Sequence, residues 1–375
     1  MKVLALVPDY IEKPSGGMGE QFRCMLEHLK EKVDYYIVGY PEENKIKNYK
    51  EAYSPLPTFR HTALTTIFGQ SIYFLKALEF KEDFDIIHAF DWSTFYAGYL
   101  CKEHFKKPLV CTMQLSLEQL NKHAVYFCHN PEHTDGKYIN DLQTEFERLG
   151  FDNSEKIVQV SNYYSHLYPE YENKTVVITN GIDKENWIKK RTLNLLGKNK
   201  IKLCYIGRAS SMKGINLILN ADIPEDVDFY FVVSPKNAEE PFYTNIVNKC
   251  NNKNIFHISG LYGQDKVDFL YAMDGVVMPS IHEPFGIVAL EALMSECMLF
   301  TTGVGGIGEI LEGVPYVNIQ TPEGFVEGIN NFKNLTVEEK NNIIETGKQK
   351  ALCFPWSKSA DKLLNVYEGI MNSRK

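Results

Sequence analysis

Short apolar, β-branched runs alternate along the chain with longer segments in which apolar residues recur every three or four positions. The short runs are typical of buried parallel strands, and the longer segments are typical of amphipathic helices. The strands predicted in the amino-terminal half are Val3–Val7, Tyr35–Gly39, Ile86–Ala89, Leu109–Thr112, Ile157–Val160 and Val176–Thr179. The helices predicted between them are Gly19–Lys32, Gln70–Phe80, Thr94–Phe105 and Asn140–Leu149. Because parallel strands need crossover connections, this alternation predicts a doubly wound α/β domain.

The carboxy-terminal half repeats the alternation after a polar stretch, Lys184–Lys200, which we interpret as an interdomain linker. The strands predicted here are Ile201–Ile206, Val227–Val233, Ile255–Ser259, Gly275–Met278, Met298–Thr301 and Pro315–Val317. The predicted helices are Gly214–Asn220, Tyr243–Asn251, Gln264–Tyr271 and Val288–Glu296. We therefore expect one α/β domain over residues 1–184 and a second over residues 185–357. The amphipathic end, residues 358–375, is expected to return to the first domain as a helix, anchored by Trp356 and Tyr367.

Composition narrows the class of protein. The 375 residues, 44% hydrophobic and 23% charged, suffice for two buried cores, and the net charge of −8 argues against a protein that mainly coats nucleic acid. The eight cysteines are scattered without a C-x-x-C pair, which argues against disulfides and a zinc site. The first apolar run is too short for a signal peptide or a membrane span. We therefore expect a soluble cytoplasmic protein that contains no metal.

Candidate chemistry is expected on the loops that follow strands, because open α/β sheets bind ligands at the carboxyl ends of their strands. Between Gly207 and Gly214, the loop after the predicted strand Ile201–Ile206 carries Arg208 and Lys213. Glycines allow close backbone approach and the two cations neutralise negative charge, so this loop predicts an anion site. A solvated basic loop is the alternative, and the Walker A pattern is absent.

A second candidate loop carries Glu283 in a turn after the predicted strand Gly275–Met278, and a helix begins near Gly286. The free amides and positive dipole end of that helix can hold a diphosphate, and Glu291 can reach ribose hydroxyls. An exposed helix glutamate is the alternative for Glu291, although its apolar neighbours require the carboxylate to have a partner. The glycine-rich loop at 303–309 follows the next strand and would let backbone amides approach a phosphate or a sugar. Taken alone it is weak evidence, because glycine clusters are more often turns than ligand sites.

Three motifs in this order resemble the donor domain of GT-B glycosyltransferases, in particular glycosyltransferase family 4 with its glycogen and starch synthase relatives. They are G-R-x-x-x-x-K-G at 207–214, E-P-F-G-I-V-A-L-E-A at 283–292 and G-G-x-x-E at 305–309. The resemblance continues in the first half, where Pro14–Glu20 is similar to the family's glycine loop and His88–Trp92 to the H-x-H-D-W segment of glycogen synthases, with Phe90 in place of the second histidine. Val160-Ser161 and Asn180–Asp183 also match family motifs, so the resemblance covers nearly the whole chain.

The resemblance implies a retaining transferase with the GT-B fold, in which two Rossmann-like domains face a cleft. It implies that Arg208 and Lys213 bind the donor diphosphate, that Glu283 lies against the donor sugar and that Glu291 binds the ribose. The resemblance also implies that no metal or other cofactor is needed, because in that family cations and helix amides neutralise the leaving group. Its other implied donor contacts are Gly16 and Gly17 from the first domain, and Phe285, Gly286, Ile287 and Val288 from the second.

On the acceptor side the resemblance points to His88, Asp91 and the residue after the strand Leu109–Thr112. Relatives often have a histidine there, but this chain has Gln114, whose amide can bind a hydroxyl group and cannot shuttle a proton. Either Gln114 occupies that place or His129 does. His88 is equally interpretable as a core histidine, and Asp91 as a helix N-cap.

The polar stretch 115–138 holds His123, His129, His133 and Asp135, but the spacing matches no metal motif, and we interpret it as an acceptor-recognition loop.

The acceptor is expected to be a glycan. Alternatives are another hydroxyl compound, a hydroxymethylated base in DNA, or a GT-B protein that is an epimerase, a phosphorylase or a silent binding subunit. The donor base and sugar, and the oligomeric state, stay open.

Overall fold

Two compact units make up the chain, one formed by Met1–Asn180 with Trp356–Lys375 and the other by Gly181–Pro355. The structure is a computed structural model that describes residues 1–10, 16–40, 49–53, 62–122, 134–235 and 238–374. Each unit is an α/β unit built on one parallel sheet, which agrees with the predicted fold class.

The first unit contains, within the described residues, a seven-stranded sheet in the order β3-β2-β1-β4-β5-β6-β7. Its strands are β1 (Lys2–Tyr10), β2 (Asp34–Tyr40), β3 (Glu51–Tyr53), β4 (Ile86–Phe90), β5 (Leu109–Met113), β6 (Lys156–Gln159) and β7 (Thr175–Val177). Its helices, before the carboxy-terminal one, are α1 (Gly17–Leu29), α2 (Thr62–Ala77), α3 (Trp92–Phe105), α4 (Leu117–Lys122), α5 (Thr134–Asn153) and α6 (Asn162–His166). Strand order reverses between β1 and β4, the position at which doubly wound sheets bind ligands.

The second unit contains, over the part of it that is described, a six-stranded sheet in the order β10-β9-β8-β11-β12-β13. Its strands are β8 (Ile201–Ile206), β9 (Val227–Val232), β10 (Ile255–Ile258), β11 (Gly275–Met278), β12 (Met298–Thr301) and β13 (Val317–Asn318). Its helices are α7 (Asn216–Leu219), α8 (Glu240–Lys249), α9 (Gly263–Leu270), α10 (Ile287–Met294), α11 (Ile307–Leu311), α12 (Pro322–Asn334) and α13 (Val337–Ala351). The neighbouring central strands β8 and β11 form this sheet's reversal point, so the loops that follow them lie side by side.

The last helix, α14 (Trp356–Asn372), belongs to the first unit and packs against α1. Its buried face includes Leu363, Leu364 and Tyr367. The Tyr367 hydroxyl group lies 2.5 Å from Nδ1 of His88 on β4, so this helix closes over the core of the sheet. No helix in the described ranges is long and apolar enough to cross a membrane.

The central strands are buried because their runs are apolar throughout: every side chain from Val3 to Val7 is fully inaccessible to solvent. The segment 184–200, however, is more than a linker. Asp268 of α9 accepts hydrogen bonds from the Lys190 amide (2.7 Å) and the Arg191 side chain (3.0 Å), and Asp228 of β9 accepts one from the Asn199 amide (3.0 Å). This polar segment is therefore fixed along the second unit by buried carboxylates, which the sequence pattern did not indicate.

The predicted loop over residues 115–138 is wrong at both of its ends. Helix α4 occupies 117–122, and α5 begins at Thr134. Local side-chain bonds promote α4, because the Ser116 hydroxyl oxygen accepts from the Gln119 amide at 3.0 Å. His123, His129 and His133 lie outside the described residues.

Candidate donor site

An ion pair connects the two predicted donor loops. Lys213 Nζ lies 2.6 Å from Glu283 Oε2, and the Ser280 hydroxyl group donates to the same carboxylate oxygen at 3.0 Å. The Glu283 side chain is only 9% exposed and that of Lys213 22% exposed, so the pair lies at the edge of the interior rather than on the open surface. A fixed cation that still reaches solvent is suited to receive an anionic ligand.

Main-chain contacts hold the same two loops together. The amide of Ile281 donates to the Met212 carbonyl at 2.9 Å. Gly214 has a φ of +63°, and a Cβ atom there would lie 1.8 Å from the Pro279 carbonyl oxygen. Only glycine fits this position, because both the conformation and the close approach exclude a side chain. The second glycine of the G-R-x-x-x-x-K-G motif therefore fixes Lys213 against Glu283.

The third glycine-rich loop packs against the turn that carries Glu283. The Gly306 amide donates to the Glu283 carbonyl at 2.9 Å, and the Thr302 hydroxyl group donates to the Ser280 carbonyl at 2.7 Å. A Cβ atom on Gly305, at φ +67°, would lie 2.1 Å from the Glu283 carbonyl oxygen. The glycine cluster, which alone is weak sequence evidence, thus supports the position of the Glu283 turn.

Arg208 is half-buried and begins the first donor loop. Its carbonyl accepts a hydrogen bond from the Tyr205 hydroxyl group, and the next residue, Ala209, accepts one from the Glu239 amide at 2.9 Å. Burial raises the pKa of the Glu239 carboxyl group, and the nearby Arg208 guanidinium opposes that rise. The loop thus keeps two cations near the carboxyl end of β8, Arg208 and Lys213.

The helix predicted to hold the diphosphate is α10, and Gly286 is its N-cap at φ +98°. Ile287 and Val288 in its first turn are half-buried, so the amino-terminal end of the helix is partly accessible. The Phe285 side chain is 2% exposed and its ring packs edge-on against Phe354, with 5.9 Å between centroids. Phe285 can therefore present only its backbone to a ligand here, and its side chain anchors the turn.

Glu291 lies further along α10, is 3% exposed, and forms an ion pair with Lys266 of α9. Sequence reasoning required a partner for Glu291 but did not identify it. The Lys266 ammonium lies over the Trp187 ring, 5.6 Å from its centroid, and the indole N–H donates to the Ser295 hydroxyl group at 2.7 Å. A search for a cation on the neighbouring helix would have found Lys266, whereas nothing in the sequence singled out Trp187.

In the first unit, Gly16 and Gly17 are exposed at the amino-terminal end of α1. Gly16 is extended, with a φ of −160°, and a Cβ atom there would meet nothing within 4 Å. Pro14 and Ser15 lie outside the described residues. The role of these glycines with a donor phosphate stays a prediction.

His88 is a fully buried core histidine. Its Nδ1 lies 2.5 Å from the Tyr367 hydroxyl group, its Nε2 lies 2.6 Å from the Thr112 hydroxyl group, and its ring stacks on Phe90 at 3.9 Å. Burial lowers its pKa to about 3, so the ring is neutral at physiological pH. This is the core alternative that the sequence left open, and we leave His88 out of the acceptor site.

Asp91 is the N-cap of α3, accepting from the Trp92 amide at 3.0 Å and, more weakly, from the Leu115 amide at 3.4 Å. Its backbone has φ +66° and ψ 156°, a conformation that a non-glycine residue rarely adopts. Burial raises the pKa of its carboxyl group to about 7, against the hydrogen bonds from these amides. The N-cap interpretation is therefore right, and the strained backbone leaves a functional role open as well.

Gln114 is 9% exposed, and its side-chain amide donates to the Gln21 side chain of α1. The position after β5 is thus occupied by an amide held by a second amide. His129, the other candidate for this position, lies outside the described residues.

Sequence reasoning also missed a buried carboxylate that binds the residues just after Gln114. Glu147 of α5 is fully buried and accepts from the Leu117 amide at 2.8 Å, the Ser116 hydroxyl group at 2.9 Å and the Tyr168 hydroxyl group. Burial raises its pKa to about 7. Its network fixes the backbone immediately after Gln114. In the part of the chain that is described, no three His, Cys, Asp or Glu side chains are grouped as a metal site would require.

Two family models together match most of the chain. The model described as glycosyl transferases group 1 matches residues 183–350, and the model described as Glycosyltransferase Family 4 matches residues 15–186. Curated relatives include an uncharacterised glycosyltransferase of Methanocaldococcus jannaschii, 26% identical, with 98% of each chain covered. They also include the α-maltose-1-phosphate synthase of Mycobacterium tuberculosis, 24% identical, with 99% of this chain and all of the relative covered.

Three solved structures superpose on this chain over nearly its whole length. Sucrose-phosphate synthase from Thermosynechococcus elongatus superposes with a TM-score of 0.80 at 17% identity, over all of both chains. An Anabaena protein in complex with UDP-glucose has a TM-score of 0.72 at 15% identity, over 98% of this chain and all of that one. The catalytic domain of starch synthase IV from Arabidopsis thaliana, bound to ADP and acarbose, has a TM-score of 0.73 at 14% identity, over 99% of each chain. The chain belongs to the glycosyltransferases with the GT-B fold, with a family 4 first half and a group 1 second half.

Proposed function

We propose that this glycosyltransferase moves a sugar from a nucleoside diphosphate sugar to a hydroxyl group of a glycan, with retention of configuration at the anomeric carbon. The observation that carries the proposal is the Lys213–Glu283 pair, held by the three loops at the carboxyl ends of β8, β11 and β12. In this arrangement the cation can bind the negative diphosphate of a donor, and the neighbouring carboxylate can contact the neutral sugar that is attached to it.

Arg208 and Lys213 are proposed to bind the diphosphate, with the amino-terminal end of α10 as a further positive pole. Charge on the leaving group increases as the bond to the sugar breaks, and fixed cations stabilise that charge more than they stabilise the bound donor. This neutralisation is why we propose that the reaction needs no metal ion. The nucleotide ligands of the Anabaena protein and of starch synthase IV support a nucleotide-linked donor for this fold.

Retention is proposed to follow from attack on the face that the diphosphate leaves. The bond between the anomeric carbon and the phosphate oxygen breaks, and the bond to the acceptor oxygen forms on the same face. The acceptor proton passes to the departing phosphate oxygen, so no protein base is needed. Glu283 lies beside Lys213 and is proposed to contact the donor sugar, where its negative charge stabilises positive charge at the anomeric carbon.

A glycan acceptor is supported by the names of the similar proteins, which include a maltose-1-phosphate synthase and a starch synthase. In the first unit we propose Asp91 and Gln114 as acceptor contacts. Both lie at the carboxyl ends of neighbouring strands, and the Asp91 amide donates to the Thr112 carbonyl at 2.8 Å. Gln114 offers an amide to a sugar hydroxyl group, and Asp91 offers a carboxyl group.

The test is transfer from UDP-glucose, ADP-glucose and GDP-glucose to a panel of glucose 1-phosphate, maltose and longer maltodextrins, with the new linkage examined by proton NMR. An α-linked product from these α-linked donors supports the proposal. A β-linked product would disprove retention, and the absence of both transfer and donor hydrolysis over a wider panel of sugars would disprove the activity.

A further inference from the structure

Several contacts hold Lys266 in place beside Glu291, the residue that the family resemblance assigns to the ribose. Its Nζ contacts Oε1 of Glu291, which is almost fully buried, while the Lys266 side chain keeps 25% of its exposure. The ammonium also lies over the Trp187 ring, 5.6 Å from its centroid. The lysine therefore contacts both a carboxylate and an indole face, and is still reachable from solvent.

Two fixed points restrain this cluster. The Trp187 indole N–H donates to Ser295 at 2.7 Å, and the Ser295 amide donates to the Glu291 carbonyl at 3.0 Å at the end of α10. Trp187 is held further because the Tyr271 hydroxyl group donates to its carbonyl at 3.2 Å. These hydrogen bonds hold the indole ring beside Lys266 and attach it to the end of the helix that carries Glu291.

The chemistry of the pair goes beyond neutralisation. A carboxylate oxygen has two lone pairs, so the oxygen bonded to Lys266 can accept a second hydrogen bond. The ammonium has three hydrogens and can also donate to a ligand oxygen. The 2′-hydroxyl group of a ribose that donates to Glu291 can thus accept from Lys266 in return, whereas a 2′-deoxyribose keeps its 3′-hydroxyl group but has no 2′-oxygen for that exchange.

We propose that Lys266 is a specificity-determining residue, which together with Glu291 selects ribonucleoside diphosphates over their 2′-deoxy counterparts. This inference rests on the proposed function, because it assumes that the nucleotide lies against α10. The opposite possibility is that the ion pair closes the site and must open for a ligand to enter. The two possibilities predict opposite effects when the charge is removed.

The experiment is isothermal titration of the full-length protein with UDP, ADP and GDP and with the 2′-deoxy form of each. The variant Lys266→Met keeps an apolar stem against Trp187 and removes the charge, and Glu291→Gln removes the negative partner. Lys348→Met is the matched control, because Lys348 pairs at 2.8 Å with a different glutamate, Glu296, which lies beyond the carboxy-terminal end of α10. Thermal unfolding checks that each variant is folded.

We expect the unaltered protein to bind its preferred ribonucleotide at least about tenfold more tightly than the deoxy form, as expected when a charged hydrogen bond is lost. Lys266→Met and Glu291→Gln should reduce that ratio to within about threefold by weakening only the ribonucleotide, and Lys348→Met should leave it unchanged. An unchanged ratio in Lys266→Met, or tighter binding of both forms, would overturn the inference and leave the donor site standing. Absence of binding of every diphosphate by the unaltered protein would overturn the proposed function itself.

Discussion

Lys213 and Glu283 are 70 positions apart in the sequence, yet their charged groups meet at 2.6 Å. Neither residue lies in a regular strand or α-helix; each is placed by a loop whose backbone is fixed by glycine. The three motifs are thus one structure, in which the first loop carries the cations, the second carries the carboxylate, and the third binds the backbone carbonyls of Glu283 and Ser280.

Neutralising Glu283 should lower the rate of sugar transfer without weakening the binding of a nucleoside diphosphate. Glu283→Gln keeps the shape of the side chain and an oxygen for the Ser280 hydroxyl group. Because it removes a negative charge beside Lys213, a nucleoside diphosphate should bind as well as or better than before. The transfer rate should fall by a factor of about 100 or more, since charge at the anomeric carbon loses its support. Titration with the diphosphate and initial rates measure the two effects, and parallel losses in both would contradict the role assigned to Glu283.

Placing a side chain at Gly305 should disturb the donor site through the backbone. In Gly305→Ala, the new Cβ would lie 2.1 Å from the Glu283 carbonyl oxygen at a φ of +67°. Gly313→Ala is the control, because Gly313 has a φ of +77° with nothing within 4 Å of a Cβ. The control should cost on the order of 1 kcal/mol of unfolding free energy from strain, and Gly305→Ala about 2–4 kcal/mol more. Urea unfolding measures both, and equal losses would show that the loop contact is unimportant.

His88 should give the stability of the protein a defined dependence on pH. Its pKa in the folded protein, about 3, lies below its ordinary value of 6.5, so the unfolded chain binds a proton first as the pH falls. The stability advantage of the natural protein over His88→Gln should be complete above pH 6.5 and shrink by on the order of 1 kcal/mol per pH unit below it. Urea unfolding of both proteins at pH 7.5 and pH 5 tests this. A difference that does not change with pH would show that His88 is not buried in its neutral form.

Transfer should not require a divalent metal ion, because Arg208 and Lys213 are proposed to neutralise the leaving diphosphate. Initial rates after exhaustive treatment with EDTA should stay within about twofold of those with added Mg²⁺ or Mn²⁺, since metal assistance of a leaving group is normally worth far more. A rate that disappears with EDTA and returns with one metal would contradict this part of the proposal.

The sheets could be predicted from the sequence because their central strands are apolar throughout. Three strands of the second unit, β8, β11 and β12, have the predicted bounds. The strand β3 was missed, since three residues, Glu-Ala-Tyr, at the edge of a sheet carry no pattern. Helices α12 and α13 were also not predicted, although Thr336 and Glu339 form a capping box at the start of α13.

The residues of the donor site could be identified from motif and position, but their contacts could not. Pairing of Lys213 with Glu283 depends on how two loops meet, and so does the contact of Gly305 with the Glu283 carbonyl. Lys266 reaches Glu291 from α9 and could have been found by a search for a cation on that helix, whereas Trp187, which contacts Lys266 from the segment before β8, could not. Asp91 shows the converse: its N-cap role was predictable, whereas its strained backbone was not.

The central claim is that the second unit binds a nucleoside diphosphate sugar through Arg208 and Lys213. Its most direct test is isothermal titration of the full-length protein with UDP, ADP, GDP and their glucose conjugates, alongside the double variant Arg208→Gln, Lys213→Met and the control Lys348→Met. The nucleoside diphosphate of one base should bind equally tightly to the natural protein and to the control. The double variant should bind the same nucleotide at least about 100-fold more weakly, because two charge-assisted contacts are lost. Equal binding by the double variant, with its thermal unfolding unchanged, would contradict the claim.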